Sequence, residues 1–215
     1  RENQRSVGYF KKCGIKHRQF QREKFEAIPG ACPCRSKRIM LTAAKPPRTA
    51  MEVFKMLPEG TRCELIEGII YMSPAPTTSH QGTLVALTSQ FYNLLTKTKK
   101  GLVLVSPIDV YLDTKKNAFQ PDLIFISNNN QSIIKEDGIY GTPDLVVEVL
   151  SKGTKSFDLG KKKNAYEKAG VKEYWVVDTQ TKICMGFRLV NKKFVEFKKE
   201  KNKINSALLH HIFKI

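Results

Sequence analysis

The segment PDLVVEVLS, residues 143–151, limits what this chain can fold into more than any other stretch. Read as a strand, it places Val146, Glu148 and Leu150 on one face and Leu145, Val147 and Val149 on the other. Both faces are otherwise apolar. A carboxylate in such a strand is costly unless it is ion-paired, protonated or bound to a cation. Glu148 is therefore a structural ion-pair partner, a residue at the strand's open end, or a metal-binding or catalytic group.

The segments around this strand alternate in type. TAMEVFKML from Thr49 reads as a short helix capped by Thr49 and closed by PEG. RCELIEGIIYMSP turns at Glu67-Gly68 like a hairpin. HQGTLVALTSQFYNLLTKTKKG carries a helical stripe of Leu84, Leu87, Phe91, Leu94 and Leu95. LVLVSPIDVYL, a polar turn at 113–117 and FQPDLIFIS read as successive strands. After the Glu148 strand, DLGKKKNAYEKAG reads as a helix ended by Gly170, and EYWVVD, CMGFRLV and KFVEFKK as further strands. This order predicts one α/β domain with a mixed sheet and no internal repeat. With 215 residues, 41% of them hydrophobic, the chain is long enough to bury its core.

Charge divides the chain into three. Residues 1–48 hold 13 Lys or Arg against 3 acids, residues 191–215 hold 7 against 2, and residues 49–190 are nearly neutral with 17 against 15. The expected domains are a basic, poorly ordered extension at 1–48, a folded domain at 49–190, and a basic C-terminal strand and tail at 191–215. Such ends either steer a polyanion or serve as solubilising surface. Cys13, His17, Cys32 and Cys34 do not fit the usual zinc spacings. Five cysteines without a framework indicate a reducing compartment. No apolar run approaches the roughly 20 residues of a membrane span, and Arg1 opens no signal-peptide pattern. A cytoplasmic or otherwise intracellular protein, without a membrane partner, is the expectation.

Two PD dipeptides compete to pair with Glu148. Asp144 shares its strand and face but lies about 13 Å away, too far for both to touch one divalent ion whose oxygen ligands stand about 2.0–2.6 Å from it. Asp122 opens a different strand, and neighbouring strands run about 4.8 Å apart, so Asp122 is the partner if the two strands adjoin. Asp144 reads as a strand-opening residue. Carboxylates without a His or Cys cluster favour a hard ion, Mg²⁺ or Mn²⁺, over zinc. Glu64 and Glu67 are candidate third ligands. His80, ahead of the amphipathic helix, is a helix-cap residue, a substrate contact or an acid–base group.

The ordered series ELIEG, YMSPAP, His80-Gln81, SPIDVYL, QPDLIFIS, PDLVVEVLS and DLGKKKNAYEKAGVKEYWVVD resembles the Uma2 family of endonucleases, within the PD-(D/E)XK nuclease superfamily. The resemblance spans about residues 49–190. It implies a restriction-endonuclease-like core, a mixed central sheet flanked by helices, and divalent-metal-dependent hydrolysis of DNA. It makes Asp122 and Glu148 metal ligands, matches Glu67 to an acidic residue before the family's Gly, and matches His80 to its recurrent histidine. Ile69 departs from the Glu common after that Gly. The superfamily lysine would fall at Leu150; the resemblance carries its role to Lys162 on the following helix, with Glu64, His80, Asp158 and Tyr166 supporting. A homodimer, a ribonuclease and a noncatalytic nucleic-acid-binding module stay open as alternatives; the last would have lost a carboxylate or the lysine.

Helical spacing singles out Lys162 among three consecutive lysines. At about 100° per residue, Lys162 falls within the stripe of Leu159, Ala165, Tyr166 and Ala169, whereas Lys161 and Lys163 lie roughly 100° to either side. Asp158 precedes it by one turn, placed to hold the ammonium charged. Lys162 is thus a catalytic ammonium, a snorkelling side chain or a structural ion-pair member.

Overall fold

The computed structural model describes residues 47–151, 153 and 155–215. Apart from Pro47 and Arg48, the expected extension at 1–48 lies outside the described residues, with Cys13, His17, Cys32 and Cys34. Helix α1 (Ala50–Lys55) opens on a reciprocal cap, in which Thr49 Oγ1 accepts the Glu52 N–H and the Glu52 carboxylate accepts the Thr49 N–H. The expected hairpin follows as β1 (Cys63–Ile66) and β2 (Ile69–Met72), turned by Glu67 and Gly68 at positive φ. Helix α2 (Thr78–Thr98) begins before its apolar stripe because Thr77 Oγ1 accepts the His80 N–H. His80 therefore lies in the first turn and is buried, not ahead of the helix.

Two expected strands are each divided. LVLVSPIDVYL separates into β3 (Gly101–Val105) and β4 (Val110–Tyr111), and FQPDLIFIS into β5 (Ala118–Phe119) and β6 (Leu123–Ser127). Pro107 and Pro121, which lack the N–H a ladder needs, fall in the breaks. The chain continues through a 3-10 turn (Asn128–Ile133), β7 (Ile134–Lys135), β8 (Gly138–Tyr140) and β9 (Leu145–Leu150). Where a regular helix was expected, α3 (Lys155–Phe157) leads into a π turn (Asp158–Lys162) and α4 (Lys163–Ala169), closed by Gly170 at φ +93°. Strands β10 (Glu173–Asp178), β11 (Ile183–Val190), β12 (Lys193–Lys201), β13 (Lys203–Ser206) and β14 (His211–Lys214) complete the chain.

Among the described residues the strands form two six-stranded sheets and one hairpin. The main sheet runs β12-β11-β10-β9-β6-β3; only β9 and β10 pair in parallel, so it is mixed as expected. The second runs β2-β1-β5-β4-β8-β7 through very short strands. On one face of β9, Leu145, Val147 and Val149 pack with Leu84, Leu87, Phe91 and Leu95 of α2. On the other, Val146 and Leu150 pack with Tyr166 of α4 and with Ile66, Val110 and Phe119 of the second sheet. Layers on both sides explain why all of β9 is buried. Gly186 stands opposite Trp175 across β10 and β11, where a Cβ would come within 2.6 Å of the indole.

The boundary expected after residue 190 falls inside the β11–β12 hairpin. Beyond it, Ile204, Leu209 and Phe213 join the α2 core, and the Gln90 side chain bonds both the N–H and the carbonyl of Lys214. Cys63 and Cys184 are buried and free. Among the described residues no helix is long and apolar enough to cross a membrane.

Asp144 opens β9 in a structural role. Its carboxylate accepts bonds from the Ser127 N–H, the Asn130 amide and the Lys172 ammonium. Burial pushes its pKa up, but these bonds outweigh it and hold the group below the ordinary aspartate value. With the folded-state pKa below the unfolded one, this stabilisation is present above about pH 4 and is lost as pH falls through the folded pKa. Asp144→Ala is expected to cost about 2–4 kcal/mol at neutral pH and to flatten the acid side of the stability profile. Urea unfolding at pH 7 and pH 3 checks both; equal acid-side losses in the two proteins would reject the assignment.

Candidate active site

The β6–β9 register pairs Leu123 with Val147 and Ile124 with Val146. Carried one residue further, it sets Asp122 opposite Glu148. The Val149 N–H donates to Asp122 Oδ2 at 2.7 Å, closing that junction. His80 Nε2 lies 3.2 Å from the same oxygen. That bond raises the His80 pKa, against burial, which opposes the charge.

Glu148 projects from the opposite face of β9 to Val147 and Val149 and is 3% exposed. Its Oε1 accepts the Tyr166 hydroxyl at 2.8 Å and the Lys162 ammonium at 2.7 Å. Lys162 is equally buried and also meets Glu64 Oε1 at 2.9 Å and Asp158 Oδ1 at 3.2 Å. Burial works against its charge, but Glu148, Glu64 and Asp158 outweigh that and hold its pKa well above the ordinary lysine value. Burial likewise raises Glu148 well above the carboxylate range, partly countered by Lys162. Leu150, at the expected lysine position, packs in the apolar cluster with Val146.

Glu64, His80, Asp122, Glu148, Leu150, Asp158 and Lys162 line a cavity of about 790 Å³. Among the described residues, its acids are Glu64, Asp122, Glu148, Asp158 and Asp178, and its strong bases are Arg62, Lys155 and Lys162. Lys155 is paired with Asp178 at 3.1 Å. On a chain of formal charge +17, carboxyl groups thus outnumber lysines and arginines among the described residues of the lining.

Among the described residues no three His, Cys, Asp or Glu side chains form a group arranged to hold a metal. The physical reason lies in the geometry above: the Lys162 ammonium occupies the point where Glu64, Glu148 and Asp158 converge. The donor set still suits a hard cation. Among the described residues, the bonds to Asp122 run to Oδ2 and those to Glu148 run to Oε1, so each carboxylate keeps a second oxygen uncommitted. One or two carboxylates, with water and phosphate oxygens, are a usual setting for Mg²⁺.

The family model for Uma2, described as "Putative restriction endonuclease", matches residues 50–212. The chain belongs to the Uma2 family. The Uma2 match continues past residue 190 through β13 and into β14, the hairpin that shares the core. Among solved structures, a nuclease from Anabaena variabilis, described as putative, superposes with a TM-score of 0.63 at 17% identity, over 76% of this chain and 92% of that one. That likeness carries the nuclease-like α/β fold. No curated protein matches the chain.

This Uma2 chain gathers Glu64, His80, Asp122, Glu148, Asp158, Lys162 and Tyr166 at one cavity or its wall, and leaves Glu67 out. Glu67 sits in the β1–β2 turn, where its exposed carboxylate pairs with Lys161 at 3.0 Å. Alternation explains the difference: Ile66, two residues from Glu64, packs toward the main sheet, while Cys63 and Leu65 pack with α1. Gln120, beside Pro121-Asp122, joins the site through contacts that no local pattern marks. Its N–H donates to Glu64 Oε1 at 2.9 Å and its side-chain amide bonds Asp109 and the Thr61 carbonyl. Arg62, one residue before β1, also lines the cavity.

Proposed function

We propose that the protein is a divalent-metal-dependent phosphodiester hydrolase that cuts DNA. The observation that carries this reading is the juxtaposition of Asp122 and Glu148 across β6 and β9, with Lys162 on Glu148, in an acidic cavity. Asp122 and Glu148 would hold Mg²⁺ or Mn²⁺ through their uncommitted oxygens. Bound there, the ion neutralises phosphate charge and lowers the pKa of water at the site.

The chain's own residues do the remaining work. His80 and the Val149 N–H fix Asp122, while Tyr166 fixes Glu148. The Lys162 ammonium orients the attacking water or stabilises charge developing at phosphorus. Arg62 supplies a cation in the cavity for a neighbouring phosphate. The basic remainder of the chain raises the encounter rate with a polyanion, an effect that weakens with salt.

The test is cleavage of supercoiled plasmid, linear duplex, single-stranded DNA and RNA with Mg²⁺, with Mn²⁺ and with chelator. Ion-dependent cutting of DNA that disappears in Asp122→Asn is the expected result. Preferential cutting of RNA would move the substrate class, and binding without cutting by the wild type would overturn the hydrolase reading.

A further inference from the structure

The Lys162 ammonium has three N–H donors. It also has three carboxylate partners: Glu148 at 2.7 Å, Glu64 at 2.9 Å and Asp158 at 3.2 Å. Ringed by these three carboxylates, the ammonium is held toward them and away from a water or a phosphate until one partner lets go. Glu148 is the partner suited to do so, because it is also placed to serve a cation beside Asp122. Asp122 and Glu148 would hold a cation, and one drawing on the Glu148 carboxylate would weaken its attraction for the ammonium, leaving Lys162 freer to face the cavity. Glu64 and Asp158 would then keep the lysine charged and in place.

The two remaining anchors differ in origin. Asp158 lies four residues before Lys162 on its own helical segment. Glu64 comes from β1 in the other sheet, and its Oε1 is fixed by the Gln120 N–H as well as by Lys162. We propose that Glu64 is a positioning residue for Lys162, not a third metal ligand, and that it sets where the ammonium points once Glu148 is engaged by a cation. The cation step rests on the hydrolase reading above; the hold on Lys162 does not.

The test uses Glu64→Gln, which keeps the length and an acceptor for Gln120 while removing the charge. The direct readout is the ¹⁵N-detected Lys162 ammonium signal in the full chain without metal, identified by its loss in Lys162→Met. Protection of that signal from solvent exchange is expected to fall about tenfold in Glu64→Gln and to recover in part in Glu64→Asp. The second readout is Mn²⁺ affinity by electron paramagnetic resonance, expected to stay within about tenfold of wild type. The third is turnover, with kcat reduced about 10–100-fold and KM for DNA unchanged. An unchanged ammonium signal in folded Glu64→Gln overturns the proposal, and Mn²⁺ affinity weakened beyond tenfold makes Glu64 a ligand and overturns it too. Should Glu64→Gln fail to fold, the signal in Glu64→Asp decides: an unshifted, equally protected ammonium counts against the proposal. If wild type binds no Mn²⁺ and cuts nothing, the hydrolase reading fails while the ammonium comparison still tests the hold on Lys162.

Discussion

Glu148→Gln is expected to lower ion-dependent cleavage at least about a hundredfold while leaving the protein as stable as wild type or more so. Glutamine keeps the shape and can still accept the Tyr166 and Lys162 bonds through one oxygen. What it loses is the charge that would hold a cation beside Asp122. Burial already presses Glu148 toward its neutral form, so a neutral isostere relieves a cost of folding. Loss of activity with gain of stability is the behaviour of a residue kept for function. A thermal melt beside plasmid cleavage checks the pair of outcomes. Full cleavage in Mg²⁺ by the folded variant would remove Glu148 from the mechanism.

Lys162→Ala is expected to do damage of both kinds. It strips the ammonium from three buried carboxylates at once, and breaking a buried pair in this way costs about 3–5 kcal/mol. For a folded unit of this size that corresponds to a melting point lower by roughly 6–20 °C. Turnover should fall with it, because no other lysine reaches Glu148 among the described residues. Its neighbours supply the control. Lys161 pairs with Glu67 at the surface and Lys163 lies over the Phe187 ring, so alanine at either should change stability by less than about 1 kcal/mol. Their effect on cleavage should appear in the affinity for a polyanion. A folded Lys162→Ala with wild-type turnover would refute a mechanism that uses this lysine.

Sequence periodicity revealed much of this arrangement. The two faces of β9 and the inward aim of Lys162 follow from local spacing, whereas the pairing of Asp122 with Glu148 holds only if their strands adjoin, a condition that the β6–β9 register supplies. Glu64 and Gln120 needed more. Their roles arise where the second sheet meets the main one, a tertiary contact that no local period encodes, although alternation in CELI does mark Glu64 and Ile66 as sharing a face. The proline breaks at Pro107 and Pro121 were visible, yet the apolar runs on either side masked the change of sheet. The β13–β14 hairpin was the least legible part. Its buried Ile204, Leu209 and Phe213 follow neither a strand nor a helix period, since a turn separates them.

The double origin of the ion cluster bears on how the molecule is made. Glu64 precedes α2 in the chain, whereas Glu148 and Lys162 follow β8, so the cluster closes a long loop of sequence. Contacts of this kind form slowly because distant segments must be ordered before they are rewarded. A chain leaving the ribosome with β1 already paired to β2 still lacks the strand and helix that complete the cluster. The arrangement proposed to cut phosphodiesters is therefore absent from nascent and misassembled chains. Such chains carry the individual carboxylates and lysine without the cluster that joins them, which assembles only once β1, β9 and the segment bearing Lys162 have docked.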